Sequence, residues 1–192
     1  MSGQDRRTTK QRMLDSAVLL LRERGSAGVT VDAVLAHSGA PRGSVYHHFP
    51  GGRNELLLGA VRQAGDYIAA MVSESVADGD VGQMVERLVA FWKRALTKTD
   101  YRAGCPVAAM ALDGRDLVPD AAGVVRDVFA RWHASLAEAL SANGFAEQRA
   151  QRLATLVVSS IEGAIILCRA QRDLGPLDDV LAEMTPLLQS RD

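Results

Sequence analysis

Residues 30–49 read TVDAVLAHSGAPRGSVYHHF, and this stretch decides the fold. Thr30 suits the N-cap of a short helix, because its hydroxyl oxygen accepts a backbone N–H of the first turn. Gly39 suits the end of that helix, since glycine readily adopts the left-handed conformation found there. Val45 and Phe49 then place apolar side chains one turn apart on a second short helix. Two short helices joined by a tight turn predict a helix-turn-helix.

A further helix before this stretch completes a three-helix unit. Thr8 and Gln11 have the spacing of a capping box, and Gly25 ends the periodic segment. The apolar residues between them recur at helical spacing and share one face: Leu14, Ala17, Val18 and Leu21. We therefore divide the chain into a head, residues 1–53, and a body, residues 54–192.

The body also has a helical pattern, and clean apolar–polar alternation of strand length is absent from the sequence. Its amphipathic segments cover about residues 54–75, 81–97, 106–114, 120–143, 146–171 and 176–188. The first of them is expected to pack on the head and then enter the body, and Pro186 is expected to kink or fray the last. The sequence thus predicts an all-α fold of about nine helices with essentially no sheet.

Residues 30–49 resemble the DNA-binding signature of the TetR family of bacterial regulators. The resemblance spans roughly residues 1–57, and the length and helical pattern of the body agree with the family. It implies a helix-turn-helix head joined by a long fourth helix to a C-terminal domain that binds a ligand and dimerises. Residues 50–53, Pro-Gly-Gly-Arg, and 104–107, Gly-Cys-Pro-Val, further resemble a subgroup that includes multidrug- and flavonoid-responsive repressors.

The resemblance assigns DNA contacts to the start of the recognition helix. It places Arg42, Gly43 and Ser44 at the leading edge, where the small Gly43 lets the backbone approach the groove. Arg42 suits the O6 and N7 atoms of guanine, with a phosphate contact as the alternative. Thr30 suits a phosphate oxygen at the N-terminus of its own helix, and a plain N-cap role is equally consistent with the sequence.

Four later residues complete the expected DNA contacts. By resemblance, the Tyr46 ring packs in the head while its hydroxyl reaches a phosphate. His47 takes a base-reading position, and His48 faces the DNA backbone. Arg53 stands where the family has a lysine and is expected to hold a phosphate, although residues 50–53 make the spacing to it one residue longer than usual.

Charge is distributed unevenly along the chain. The head is weakly basic and the body weakly acidic within a net charge of −1, which suits a protein that presents one end to a polyanion. Near the N-terminus, Arg6, Arg7 and Lys10 form either a flexible arm that touches the DNA backbone or minor groove, or a plain soluble tail.

The family's body encloses an inducer pocket, and the candidate lining residues here are those that point inward from its fifth to eighth helices. They are Phe91, Trp92, Cys105, Met110, Phe129, Trp132, His133 and Glu162. Periodic apolar residues are more often plain core, so that alternative stands for each of the bulky ones. Glu162 lies within the most apolar helix and needs a partner, which is Arg169, a ligand donor, or exposure at the pocket mouth.

The segment 146–171 is apolar around its whole circumference, so every side of it must be covered. We expect one side to be buried within the chain and the other to meet a second subunit, together with the last helix. The candidate interface residues are Val157, Ile161, Ala164, Ile165, Val180 and Met184.

Other features argue against a membrane or secreted protein. The longest apolar stretch, residues 153–168, contains polar residues and falls short of the roughly 20 apolar residues of a bilayer span. The N-terminus lacks the apolar core of a signal peptide, so we expect a cytoplasmic location. Cys105 and Cys168 are expected to be free thiols there.

Enzyme chemistry is also not indicated. The sequence contains no nucleophile elbow, phosphate loop or His-Glu-x-x-His motif. His47 and His48 are adjacent, but no further ligands lie nearby in the sequence to complete a metal site. We therefore expect no catalytic residue, no metal and no cofactor.

Together these features predict a homodimeric repressor that binds a palindromic operator through its recognition helices. A small aromatic or hydrophobic ligand in the body is expected to release it, by shifting the fourth helix and changing the spacing of the two recognition helices. The alternative is an activator or architectural protein of the same fold with no inducer.

Overall fold

The structure, a computed structural model, describes residues 8–76, 81–114 and 118–189. Within those ranges all regular structure is helical, which confirms the predicted all-α fold. The helices are α1 (Thr9–Arg24), α2 (Val31–Ser38), α3 (Ser44–His48), α4 (Gly52–Val76), α5 (Val81–Lys98), α6 (Pro106–Asp113), α7 (Ala121–Ala142), α8 (Glu147–Gln171) and α9 (Gly175–Gln189).

Helices α1 to α3 form the head, and local capping explains where they begin and end. The Ala33 N–H donates to Thr30 Oγ1 at 3.1 Å at the start of α2. Gly39 adopts a left-handed conformation, φ +65°, and ends α2. α3 begins only at Ser44, whose N–H donates to the Pro41 carbonyl at 3.0 Å, so Pro41 precedes the helix.

The head has an apolar core that continues along α4. Its buried members come from all three head helices and from the first two turns of α4: Met13, Ala17, Leu21, Val34, Val45, Phe49, Leu56, Leu57 and Ala60. Because α4 supplies part of this core, it is anchored to the head before it reaches the body.

α4 begins two residues earlier than predicted, because Gly52 adopts φ +63° and lets the chain turn directly after Phe49. Further along, α4 crosses α7 at close range. A Cβ on Gly65 would lie 2.6 Å from Val128 Cγ1, so only glycine fits there. The Trp132 indole Nε1–H donates to the Gly65 carbonyl at 2.8 Å, which fixes the crossing further.

The head also contacts the body through the two ends of α6. The Gly104 N–H donates to the Arg22 carbonyl at 2.8 Å just before α6. The Ser26 N–H donates to Asp113 Oδ2 at 2.9 Å at its C-terminal end. α6 therefore joins the end of α1 at two points, in addition to the connection through α4.

α8 is the most apolar helix of the body. Among the described residues it is the one helix long and apolar enough to span a bilayer by length and composition, a test that the core helix of a soluble protein also passes. Its inner side is buried against the body, whereas Leu156, Ile166 and Leu167 are exposed. As expected for a helix apolar all round, one side is covered within the chain and the other is not.

α9 is helical through Pro186 as far as Gln189, so of the two expected effects of Pro186, a kink or fraying of the last turn, fraying is not seen in the described residues. Leu188 lies in that turn and is buried. Its packing holds the helical conformation beyond the proline, although the proline removes one backbone hydrogen bond.

Candidate DNA interface and ligand cavity

The outer side of α3 forms an exposed surface on the head. Val45 and Phe49, one turn apart, are buried and fix the rotation of this short helix. Arg42, Tyr46 and His47 consequently point away from the core and are exposed. We call these three residues, with the exposed Gly43, the α3 surface.

The other expected contacts at this surface are partly used within the head. Ser44 is partly buried, and its hydroxyl donates to the Pro41 carbonyl at 2.6 Å. His48 is partly buried as well, with its ring edge-on to that of His47 at 4.8 Å between centroids. Thr30 is exposed while its oxygen caps α2, so the N-cap role is present in the structure.

Tyr46 differs from the prediction, because its ring does not pack in the core of the head. The residue is 65% exposed, and its ring Cε1 lies 3.3 Å from where a Cβ on Gly52 would stand. Val45 and Phe49 occupy the inner side of α3, so the residue next to Val45 is turned outward. The absence of a Cβ at Gly52 lets the ring lie against the backbone at the start of α4.

Arg53 also differs from the prediction of a phosphate ligand. Its side chain is partly buried and turned back onto the α1–α2 connection. The Nε–H donates to the Val29 carbonyl at 2.7 Å, and Nη2 donates to the Ser26 carbonyl at 2.6 Å. α4 begins at Gly52, so Arg53 lies within its first turn. From there its side chain joins α4 to the connection between α1 and α2.

Arg53→Ala is expected to lower the free energy of unfolding by about 1–3 kcal/mol, because two carbonyls lose their charged donor. Arg53→Lys, which keeps the charge but lacks the fork of donors, is expected to be intermediate. Urea unfolding followed by circular dichroism measures both. Unchanged stability of Arg53→Ala would contradict the structural role. A phosphate contact would show separately, as a reduced slope of log affinity against log salt in DNA binding.

Of the predicted N-terminal arm, Arg6 and Arg7 lie outside the described residues. Lys10 belongs to the first turn of α1, and its ammonium lies 5.5 Å from the centroid of the Phe49 ring. Lys10 is therefore part of the helical head and not of a flexible arm.

A cavity of about 260 Å³ lies where the head meets the body. α1, α4, α5, α6 and α7 all contribute to its walls, which are largely apolar and include four aromatic side chains. The lining residues are Val18, Arg22, Gln63, Ala64, Tyr67, Ile68, Phe91, Trp92, Cys105, Pro106, Val107 and Trp132. A cavity of roughly 150 Å³ accommodates benzene, so this one has room for a molecule of one or two rings.

Four of the eight predicted ligand residues line this cavity, namely Phe91, Trp92, Cys105 and Trp132. Two of these rings contact each other, with Phe91 edge-on to Trp92 at 5.0 Å, and Phe91 is also tilted against Tyr67 at 5.5 Å between centroids. This grouping could not be read from the helix pattern, because it depends on how α4, α5 and α7 cross.

The other four predicted ligand residues lie elsewhere. Met110 is buried in the core, and Phe129 packs edge-on against the Trp132 ring. His133 faces α8, where its Nε2 lies 3.0 Å from the Gln151 carbonyl and 3.0 Å from Thr155 Oγ1. Helical periodicity placed these residues on inward-facing stripes, but α7 turns His133 and Phe129 away from the cavity.

Glu162 lines a smaller neighbouring space of about 30 Å³ between α4, α5, α7 and α8. It interacts with the Cys105 thiol, which the sequence did not predict. Burial raises the pKa of Glu162 to about 7. Burial, together with the Glu162 carboxylate, raises the pKa of the Cys105 thiol well above its ordinary value, so the thiol keeps its proton.

Glu162→Gln is expected to be more stable than the unmodified chain at pH 8, by about 1–3 kcal/mol. The pKa of Glu162 in the folded state, about 7, lies above its ordinary value of 4.5. As the pH rises from 4.5 to 7, the unfolded chain loses this proton first, so the folded state is progressively destabilised. The difference should therefore shrink as the pH falls from 8 to 5. Denaturant unfolding at several pH values tests this, with the exposed Glu138→Gln as control. A difference that does not change with pH would contradict it.

The predicted dimer residues are placed mainly inside the chain. Val157, Ile161, Ala164 and Ile165 are buried in the core between α8 and the rest of the body, as is Met184 on α9. A second subunit cannot reach the first four without opening the body, so the prediction chose the wrong side of α8. Because α8 is apolar all round, periodicity alone did not distinguish its two sides.

The outer apolar side of α8 and α9 was missed. Leu156, Ile166, Leu167 and Leu187 are exposed there. A groove between the two helices is lined by Leu156, Ser160, Asp179, Val180, Glu183, Met184 and Leu187. We call these two sets together the α8–α9 face; Val180 and Met184 of the predicted interface belong to its groove.

Two further cavity residues from the head, Val18 and Arg22, were also missed as ligand candidates. Arg22 stands one turn after Val18, on the side of α1 that the apolar stripe occupies. A charged side chain is unusual on the buried side of a helix. This is the signal in the sequence by which Arg22 could have been identified as a candidate functional residue.

Two family models match the chain. Residues 13–60 match the model described as bacterial regulatory proteins, tetR family. Residues 82–183 match the model described as transcriptional regulator LmrA/YxaF-like, C-terminal domain. The matches cover the helix-turn-helix of the head and most of the body.

Individual relatives extend over nearly the whole chain. The HTH-type transcriptional regulator Rv0196 of Mycobacterium tuberculosis is 44% identical over 185 residues, which cover 93% of each chain. The HTH-type transcriptional regulator YxaF of Bacillus subtilis is 32% identical and covers 94% of each chain. A crystal structure of a TetR transcriptional regulator from Legionella pneumophila has a TM-score of 0.83 at 21% identity, with 96% of this chain and 99% of that one covered. That structural similarity shows the same fold.

Proposed function

Since the chain belongs to the TetR family of bacterial regulatory proteins, we propose that it is a dimeric repressor released from its operator by a small ligand. The α3 surface is the observation that carries the DNA-binding part of this proposal. His47 stands exposed on α3, whose rotation is fixed by buried Val45 and Phe49, and Arg42 stands exposed in the turn that leads into it. Rigid presentation of an arginine and a histidine suits direct reading of base edges in the major groove.

The second subunit is proposed to cover the α8–α9 face. Exposed leucine and isoleucine side chains on two adjacent helices form an apolar surface that water solvates poorly. A two-fold arrangement would place α8 and α9 of one protomer against the same helices of its partner. Such a pair presents two recognition helices, which matches a palindromic site in the DNA.

The cavity between head and body is proposed to receive the releasing ligand. Its aromatic walls and its size suit a small aromatic molecule. We propose the head, residues 1–53, as the DNA-binding domain and residues 54–192 as the ligand-binding and dimerisation domain, in a protein of the cytoplasm. For release, the ligand must prefer the conformation whose recognition helices do not fit successive major grooves.

Binding to the DNA upstream of the protein's own gene tests this function, measured by fluorescence anisotropy at fixed salt with unrelated DNA as competitor. We expect specific binding as a dimer, and weaker binding when a cavity ligand found by thermal shift is added. A ligand at about 100 times its dissociation constant adds roughly 2.7 kcal/mol to stability, which such a screen detects. Specific binding that no cavity ligand weakens would favour an activator or architectural protein, and failure to select any DNA sequence would refute the proposal.

A further inference from the structure

The cavity contains one cationic side chain, and it comes from the head. Arg22 lies in the last turn of α1 and lines the cavity beside Trp92 and Cys105. A molecule in the cavity therefore touches the DNA-binding unit directly, and not only through α4.

The guanidinium of Arg22 is held by weak partners. Its Nε–H donates to the Gly104 carbonyl at 3.2 Å, and its Cζ lies 5.4 Å from the centroid of the Trp92 ring and 5.9 Å from that of Phe91. Nη2 is buried and has no hydrogen-bond partner among the residues that the structure describes. The neighbouring carboxylate, Glu23, forms its ion pair with Arg102, with 3.7 Å between Glu23 Oε2 and Arg102 Nε. A partly buried cation thus has a donor group left unpaired.

An unpaired donor on a buried cation is costly, and an anionic oxygen is the partner that relieves this cost best. A planar guanidinium forms two parallel hydrogen bonds with a carboxylate. The remaining walls of the cavity, Tyr67, Phe91, Trp92 and Trp132, suit a flat aromatic ring. A ligand that fits both features has an aromatic ring and an anionic oxygen group.

On the basis of the proposed function, we propose that the releasing ligand is an aromatic compound bearing an acidic oxygen group, and that Arg22 binds that group. Arg22 is then the residue of the head that detects the ligand. The class includes aromatic carboxylates and acidic phenols, and it excludes neutral hydrocarbons and organic cations.

The same contact supplies a route from ligand to DNA-binding head. Two hydrogen bonds join Arg22, at the end of α1, to Gly104, which lies two residues before α6. The Gly104 N–H donates to the Arg22 carbonyl at 2.8 Å, and the Arg22 Nε–H donates to the Gly104 carbonyl at 3.2 Å. When the guanidinium turns to an anionic ligand, the side-chain half of this link is lost. α1 is then free to move relative to α6, and the ligand stabilises the moved position.

Naphthoate and its neutral counterpart naphthamide are the probes for this proposal. The chain has two tryptophans, Trp92 and Trp132, and both line the cavity. Tryptophan fluorescence therefore reports binding directly. We expect naphthoate to bind the unmodified protein at least about tenfold more tightly than naphthamide, because only the carboxylate forms charge-assisted hydrogen bonds.

Arg22→Met is expected to abolish this preference, and Arg22→Lys to keep part of it. Naphthoate is expected to weaken operator binding by the unmodified protein. It is expected to leave the operator affinity of Arg22→Met unchanged, whatever that affinity is without ligand, since this variant has no guanidinium to bind the carboxylate. Equal binding of the two probes, no binding of either, or an undiminished preference in a folded Arg22→Met protein would each overturn the proposal. Because the probe comparison uses the unmodified protein, it decides the matter even where a variant does not fold.

Operator binding without ligand separates the two proposals. Specific operator binding without discrimination between naphthoate and naphthamide would support the DNA-binding function and refute the role of Arg22. Discrimination between the probes without selection of any DNA sequence would support the ligand site and refute the repressor function.

Discussion

The Arg42→Ala, His47→Ala double variant is expected to bind the specific operator at least about a hundredfold more weakly than the unmodified protein. An arginine paired with a guanine contributes about 1–3 kcal/mol of discrimination, and a dimer makes the contact twice. Both side chains are exposed, Arg42 in the turn before α3 and His47 on α3, so their removal leaves the core of the head, including Val45 and Phe49, unchanged.

Affinity for unrelated DNA should change much less, because it rests on phosphate contacts elsewhere. The loss is therefore one of specificity, and anisotropy titrations with operator and unrelated DNA at the same salt measure it. Arg126→Ala is the matched control, since Arg126 is an exposed arginine on α7 of the body. Unchanged operator binding by the double variant would refute the assignment of α3 as the recognition helix.

The Leu156→Glu, Leu187→Glu double variant is expected to convert the proposed dimer into a monomer. The two leucines line one groove of the α8–α9 face, where each is more than a third exposed in the single chain. Burial of a leucine contributes about 1.5–3 kcal/mol, and two copies of each variant site occur in the dimer. Together with the cost of burying charge, this weakens the dimer by more than about a thousandfold.

Light scattering reads out the change in mass, and operator binding should fall with it, because a monomer engages only one half-site. Leu112→Glu is the matched control. Leu112 on α6 is 80% exposed, away from the α8–α9 face, and its change should alter neither mass nor DNA binding. A double variant that stays dimeric would place the subunit interface on another surface.

The sequence predicted the helices well because each has its own local signals. Thr30 and Gly39 mark the ends of α2 by capping, and apolar residues mark the inner side of most helices by their spacing. These signals act within a few residues, so they can be read without knowledge of the rest of the chain. The roles of Arg42 and His47 were expected from the resemblance of residues 30–49 to a known family, and the structure shows both residues exposed beside the buried Val45 and Phe49.

What the sequence did not predict concerns contacts between distant parts of the chain. Arg53 was expected at a phosphate, which stays a prediction, and within the chain it donates to the carbonyls of Ser26 and Val29. Glu162 required a partner, and the sequence did not predict its interaction with Cys105. In neither case does a local sequence pattern predict the partner, because the partner depends on how separate helices pack.

From the sequence alone follow the helical fold and the helix-turn-helix head, since periodicity and capping are properties of short segments. The tertiary structure alone decided which side of α8 remains uncovered, and that Arg22 of the head lines the cavity. The reason is geometric: a helix that is apolar all round has no preferred side until its neighbours are in place, and a cavity exists only between helices that have already packed.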